Sequence, residues 1–354
     1  MIIFVVILLL FMLYKVKLCK VNNYHTDYIA PRQTTNINAI FTILIFLSHS
    51  VQYFEPGVKL DDPYLALREF LGQLVVAAFL FYSGFGIMHS ISKKGMSYVN
   101  TIPTKRFFKV WYHFAFALVG FIIINLIFNI DYSLKNNIFA FTGYTGIGNS
   151  NWYMFVTFAL YFVVYFAFII ARKNNVAGVM LAMSFTIAFA VFERRLGLPS
   201  RYYNTIMCYP AGMMFSLIKP HFDKFVMKND FYWLFSFILS GGMFVYFSRH
   251  RETSDIHYNL FSILAVIVII IFTMKVKIEN EVFDWIGKHI FSIFILQRIP
   301  MNIYEALGYQ INKYFFVVIS FVITIILALL FDMAMDKLDN LIFRKKPKKE
   351  VKKA

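Results

Sequence analysis

Apolar runs of about 20 residues, the length that crosses a bilayer core, recur along the whole of this 354-residue chain. No stretch long enough to form an ordinary soluble domain is free of one. In hydrocarbon a segment must satisfy its own backbone hydrogen bonds, so such runs fold as helices. Only 15% of the residues are charged, against roughly a quarter in soluble proteins. The expected fold is therefore all-α, a polytopic membrane helix bundle of about eleven transmembrane helices. They are placed near 2–19, 36–54, 70–91, 107–129, 152–171, 176–192, 203–218, 231–248, 258–274, 284–304 and 314–332.

The direction of the bundle follows from its cations. In the first run Lys15, Lys17 and Lys20 come after the apolar residues. A signal peptide has its positive charges before them. The first run therefore reads as an uncleaved helix with its N-terminus outside. Alternating the loops from there puts most of the 35 Lys and Arg on the inner side, C-terminus included. That bias is the positive-inside rule. Three units follow: an N-terminal helix and cytoplasmic linker over 1–35, a membrane core over 36–335, and a basic tail over 336–354.

The net charge of +16 does not imply nucleic acid, because the cations sit between apolar runs and in the tail. A basic juxtamembrane tail suits anionic membrane lipid. Cys19 and Cys208 have no partner spacing, so neither a metal site nor a disulfide framework is expected. No nucleotide-binding glycine loop and no zinc signature is present.

His49 is the histidine set inside an apolar span. An imidazole there normally has a partner or a task, and its unperturbed pKa suits proton transfer near neutrality. At about 1.5 Å per residue it lies roughly 20 Å above the inner end of its helix, in the outer half of the membrane. It reads either as a general base or as a hydrogen bond to a neighbouring helix. The other histidines lie at loops or span ends and read as solvated.

Other polar positions carry paired readings. Tyr82 and Ser83 precede Gly84, so this stretch marks close helix packing, which could bring it against the His49 helix, or chemistry at the serine, and the two can coexist. Lys105, Arg106 and Lys109 form an inner basic cluster that sets topology or binds a phosphorylated cytosolic donor. Trp152 and Tyr153 open a span as an interfacial aromatic belt, and the polar Asn149, Ser150 and Asn151 before them could hold a sugar. Arg194, Arg195 and Arg201 oppose the charge bias on an outer loop; they either pair with Glu193 or hold an anionic acceptor. Gln297 and Arg298 either snorkel or face a polar cavity with His49.

Five blocks in order resemble the acyltransferase 3 family of multi-span membrane acyltransferases. They are the helix ending Ser48-His49-Ser50, the block Phe81-Tyr82-Ser83-Gly84-Phe85, the basic Lys105-Arg106-Phe107-Phe108-Lys109, the block Asn151-Trp152-Tyr153-Met154, and Trp285-Ile286-Gly287-Lys288 with the residues up to Leu296. Together they cover about 36–330. The family core has ten spans, which makes 2–19 an added helix. Two positions depart from the pattern. Asn38 stands where the family has a basic residue thought to serve the donor, with Arg32 the nearest unaligned basic residue. Gln297 stands near a usual histidine.

The resemblance implies a bacterial plasma-membrane O-acyltransferase. Acetyl-CoA or another acyl-CoA would be the donor and co-substrate, with no bound cofactor. A cell-surface polysaccharide or lipid-linked oligosaccharide would be the acceptor. His49 would act as general base or acyl relay, with Tyr82 and Ser83 as oxyanion donors. Asn38, Lys105, Arg106 and Lys109 would serve the donor. Trp152, Arg194, Arg195, Arg201, Gln297 and Arg298 would serve the acceptor. The second reading is a lipid-linked glycan flippase or exporter without covalent chemistry, and the third is a degenerate scaffold.

Overall fold

The computed structural model describes residues 1–55, 59–308 and 312–343; the tail from 344 onward lies outside them. The first half of the helical order is α1 (Ile2–Leu13), α2 (Pro31–Ser50), α3 (Asp62–Leu71), α4 (Leu74–Lys94), α5 (Met96–Val99), α6 (Lys109–Ile127), α7 (Leu134–Ala140) and α8 (Trp152–Ala171). It continues with α9 (Asn175–Arg195), α10 (Cys208–Val226), α11 (Asp230–Arg249), α12 (Asp255–Thr273), α13 (Glu281–Lys288), α14 (Ile290–Leu296), α15 (Arg298–Leu307) and α16 (Lys313–Ile342). The strands among the described residues are β1 (Val16–Leu18) and β2 (Val276–Ile278), an antiparallel pair with Lys17 opposite Lys277. The chain is an all-α bundle and a multi-pass membrane protein.

Eight helical segments among the described residues are long and apolar enough to cross a membrane. The three other expected spans differ, each for a local reason. The run 2–19 yields a helix of only 12 residues. It stops where Lys15 adopts a positive φ of 61° and β1 begins. The run 203–218 starts as irregular chain, and α10 ends in a polar turn containing Lys219, Asp223 and Lys224. The run 284–304 is broken at His289 and Gln297 into α13, α14 and α15.

The closest helix contact is between α4 and α10, and two glycines permit it. A Cβ on Gly84 would lie 2.0 Å from the Tyr209 carbonyl oxygen, and one on Gly212 would lie 2.0 Å from the Phe81 carbonyl oxygen. Small residues let transmembrane backbones approach in this way. Gly84 thus serves α10, not the His49 helix as the sequence suggested. The crossing lies near the middle of α4, so α10 begins deep in the bundle. That explains why only its first half is apolar.

The face that carries β1 and β2 is tied by charge. Lys277 bridges Asp27 at 2.7 Å and Glu279 at 3.1 Å, Lys17 also pairs with Glu279, and Lys15 reaches Glu281 at 2.8 Å. Lys17 and then Lys277 hold the Glu279 carboxyl down at about 2. Arg32 is committed to the Asp284 carboxylate. It therefore does not stand in for the basic residue missing at Asn38. The expectation of solvated histidines also fails for two residues. His289 Nδ1 meets Asp332 at 2.5 Å, and His113 Nε2 lies 3.1 Å from Asp339, both only partly exposed. The α16 carboxylates were missed because a helical pattern does not show which neighbour it faces.

Gly212→Val should displace α4 from α10. Overpacking costs about 1–3 kcal/mol or more, so the thermal midpoint of the purified protein in detergent should fall clearly. Gly86→Ala is the control, because nothing lies within 4 Å of that position. Equal midpoints for the two variants would contradict the glycine-mediated contact.

Candidate functional site

Near the end of α2 distant from the inner strap, a cavity of about 770 Å³ opens among α2, α3, α4, the residues before α8, and Arg298. His49 and Ser48 line it from α2, Arg68 and Glu69 from α3, and Asn149, Ser150, Asn151 and Trp152 from the chain entering α8. Arg201 and Arg298 complete it. His49 is half-buried against this space, and its Nδ1 has no hydrogen-bond partner among the described residues.

Two guanidiniums flank the imidazole. Arg68 Nε donates to Ser48 Oγ at 3.0 Å, next to His49 in sequence. Arg298 is held by three neutral acceptors: Ser150 Oγ at 3.1 Å, Tyr53 Oη at 3.2 Å and Gln52 Oε1 at 2.8 Å. Arg298 opens α15 directly after Gln297, whose backbone keeps right-handed helical dihedrals. Gln297 itself is fully buried beside His49; its Nε2 donates to the Phe294 carbonyl at 3.0 Å.

The wall before α8 is irregular chain held by side-chain amides. Asn151 Nδ2 donates to the carbonyls of Gly143 and Tyr144 and to Tyr202 Oη, at 3.0–3.1 Å. Asn302 Nδ2 donates to the Gly148 carbonyl at 3.1 Å, while Asn302 Oδ1 accepts from Tyr53 Oη at 2.6 Å. Gly148 is required there: its φ is +97° and a Cβ would stand 2.5 Å from Asn302 Nδ2.

The structure therefore brings His49, Trp152, Arg201 and Arg298 into one cavity, with Gln297 just behind it. It adds Arg68, Glu69 and Gln73, which the sequence did not single out. The available signal for α3 was Asp61-Asp62-Pro63, a helix start, followed by Gly72 at positive φ as its stop. Other expected residues lie elsewhere. Tyr82 and Ser83 do not line this cavity, since their helix turns that stretch toward α10. Arg194 pairs with Asp255 at 2.7 Å in a separate groove, and Arg195 is exposed outside the cavity. Glu193 pairs with neither; it is buried with both carboxyl oxygens unpartnered among the described residues.

The expected donor residues lie outside this cavity. Arg106 Nε donates to Tyr98 Oη at 3.0 Å, and its charge faces Tyr161 and Tyr209. The hydroxyls of Tyr82 and Tyr209 and Oδ1 of Asn38 are buried without partners among the described residues. Lys105 is exposed, and Lys109 binds Asp339 at 2.5 Å. Asn38 and His49 are eleven residues apart on α2. Eleven residues are close to three full turns, so both lie on one face about 16 Å apart.

Removing the amide in Asn302→Leu should strand the Gly148 carbonyl and the Tyr53 hydroxyl. A buried polar group left unmet costs about 1–3 kcal/mol. The expected result is a lower thermal midpoint in detergent. A wild-type midpoint for Asn302→Leu would show that this wall is not held as described.

A family model described as an acyltransferase domain, that of the acyltransferase 3 family, matches residues 36–333. No curated protein and no solved structure matches the chain.

Proposed function

The chain belongs to the acyltransferase 3 family, and from that membership we propose that it is an O-acyltransferase of a bacterial plasma membrane. It moves an acyl group, acetyl in the first instance, from cytosolic acyl-CoA to a hydroxyl of a surface polysaccharide or its lipid-linked precursor. The observation that carries this reading is the placement of His49. It stands half-buried in a polar cavity with Nδ1 unpartnered, on the same helix face as Asn38 three turns below.

In this reading the two polar regions serve the two substrates. The Arg106 cluster, with the free hydroxyls of Tyr82 and Tyr209 and the free Asn38 oxygen, offers charge and hydrogen bonds to the phosphates and amides of the donor. The thioester then reaches His49 along α2. The acceptor hydroxyl enters from the other face, beside Trp152.

The neutral imidazole of His49 takes the hydroxyl proton as the oxygen bonds to the thioester carbonyl carbon. The carbonyl π-electrons move onto oxygen, and an N–H of Arg68 or Arg298 stabilises that charge. Collapse expels the CoA thiolate, which takes the proton back from His49. These arginines replace Tyr82 and Ser83 in the oxyanion role. An acyl-His49 relay uses the same atoms in two steps. The flippase reading loses ground, because transport alone does not call for an imidazole nitrogen left free beside two cations.

Deleting the gene should remove O-acetyl signals from the surface polysaccharide in proton NMR, and wild type should restore them. His49→Ala should not, since a general base contributes about 10²–10⁴-fold. An acetylated polysaccharide of reduced surface amount in the deletion would favour transport instead. Sidedness is checked separately: Gln52→Cys should react with a membrane-impermeant maleimide on intact cells, and Lys173→Cys only after permeabilisation. The reverse pattern would invert the proposed orientation.

A further inference from the structure

The cavity around His49 holds three arginines, Arg68, Arg201 and Arg298, and one lining carboxylate, Glu69. None of the three makes a salt bridge among the described residues. The contrast with the neighbouring groove is informative, because there Arg194 is neutralised by Asp255. Arg298 is restrained by three hydrogen bonds, yet all of them go to uncharged oxygens. Arg68 is likewise held by a serine hydroxyl. The side chains are thus fixed in place while their charge is left uncompensated. A desolvated cation without a counter-ion is costly, so the arrangement is set up for a negative charge that arrives with a ligand.

A further donor points the same way. Asn149 accepts the Ile147 N–H on Oδ1 at 2.9 Å, which fixes the amide, and its buried Nδ2 has no partner among the described residues. The cavity is therefore rich in donors.

We propose that the acceptor hydroxyl belongs to an anionic glycan, and that Arg201 with Arg68 and Arg298 binds a carboxylate or phosphate-ester group on it. Guanidinium forks match both groups bidentately. The inference rests on the acyltransferase reading and names its substrate class. Arg201 is the specificity residue in this assignment. It is exposed at the mouth, whereas Arg68 and Arg298 flank His49 and face the reacting carbonyl as well.

The test uses full-length protein in liposomes with acetyl-CoA and three acceptors: octyl glucoside, octyl glucuronide and an octyl glycosyl phosphodiester. The expected result is that one anionic acceptor exceeds the neutral one at least tenfold in kcat/KM, and which one does so names the anion. Arg201→Gln should cut that ratio by about tenfold, Arg201→Lys should keep part of it, and Arg195→Gln, outside the cavity, should leave it at the wild-type value. Raising salt should lower the ratio, as screening predicts. Equal turnover of all three acceptors, or a ratio untouched by Arg201→Gln, overturns the proposal. Calorimetric titration of the glucuronide and the phosphodiester against octyl glucoside separates this idea from the reading beneath it. Anion-selective binding lost in Arg201→Gln, without any transfer, would uphold the anion site and sink the acyltransferase. Transfer without anion selectivity would do the opposite.

Discussion

Irregular backbone inside a bilayer must find hydrogen-bond partners within the protein, and in this bundle asparagine side chains supply them. Asn259 accepts the Met207 N–H at 3.1 Å and donates to the Tyr203 carbonyl at 3.1 Å, so the chain before α10 can run uncoiled at depth. Asn125 donates to the Ile147 carbonyl at 3.0 Å, and Asn151 and Asn302 serve the glycine-containing chain on either side. On the inner face Asn36 reaches the Ile278 carbonyl and Asn280 the Phe11 carbonyl. An amide side chain carries both a donor and an acceptor, which lets one residue close a gap that a helix would otherwise close for itself. The irregular wall of the His49 cavity before α8 depends on such clamps.

The same constraint explains the charge of the cavity. Irregular chain displaces helices sideways and leaves a polar hollow, which makes room for Arg68 and Arg298. Both are anchored through hydroxyl or amide oxygens, not carboxylates. Neutral anchors fix geometry without cancelling charge, so electrostatic attraction remains available to a ligand in a low-dielectric setting. At the β1–β2 strap the opposite choice is made. Lysines there are matched by Asp27, Glu279 and Glu281, and the result is a closed strap. Paired charges tie that strap, while Arg68 and Arg298 in the His49 cavity keep neutral anchors.

Much of this was legible in the sequence and part was not. Hydropathy gave the bundle, because lipid imposes helix on any long apolar run. His49, Trp152, Arg201 and Arg298 stood out because polar residues in or beside spans need a reason. The helix breaks were not visible. Residues 284–304 are apolar enough to look continuous, and only the close approach of Gly287 to Thr35 and the turn at His289 show why they are not. Arg68 did not stand out, since nothing local says that α3 folds over α2. Arg194 looked equivalent to Arg201 until its partner Asp255, some sixty residues away, was located.

Asn38 shows how a departure from a family pattern is absorbed. The position usually basic in the family lies on the His49 face of α2, three turns away, and here it offers only an unpartnered amide oxygen. Arg32 cannot replace it, being locked to Asp284. A different cation, Arg106, rises from the π-helical turn over Ile102–Phe108 and meets Tyr98, Tyr161 and Tyr209. In that turn five-residue hydrogen bonding winds the backbone wider than an α-helix, and such turns recur at functional sites.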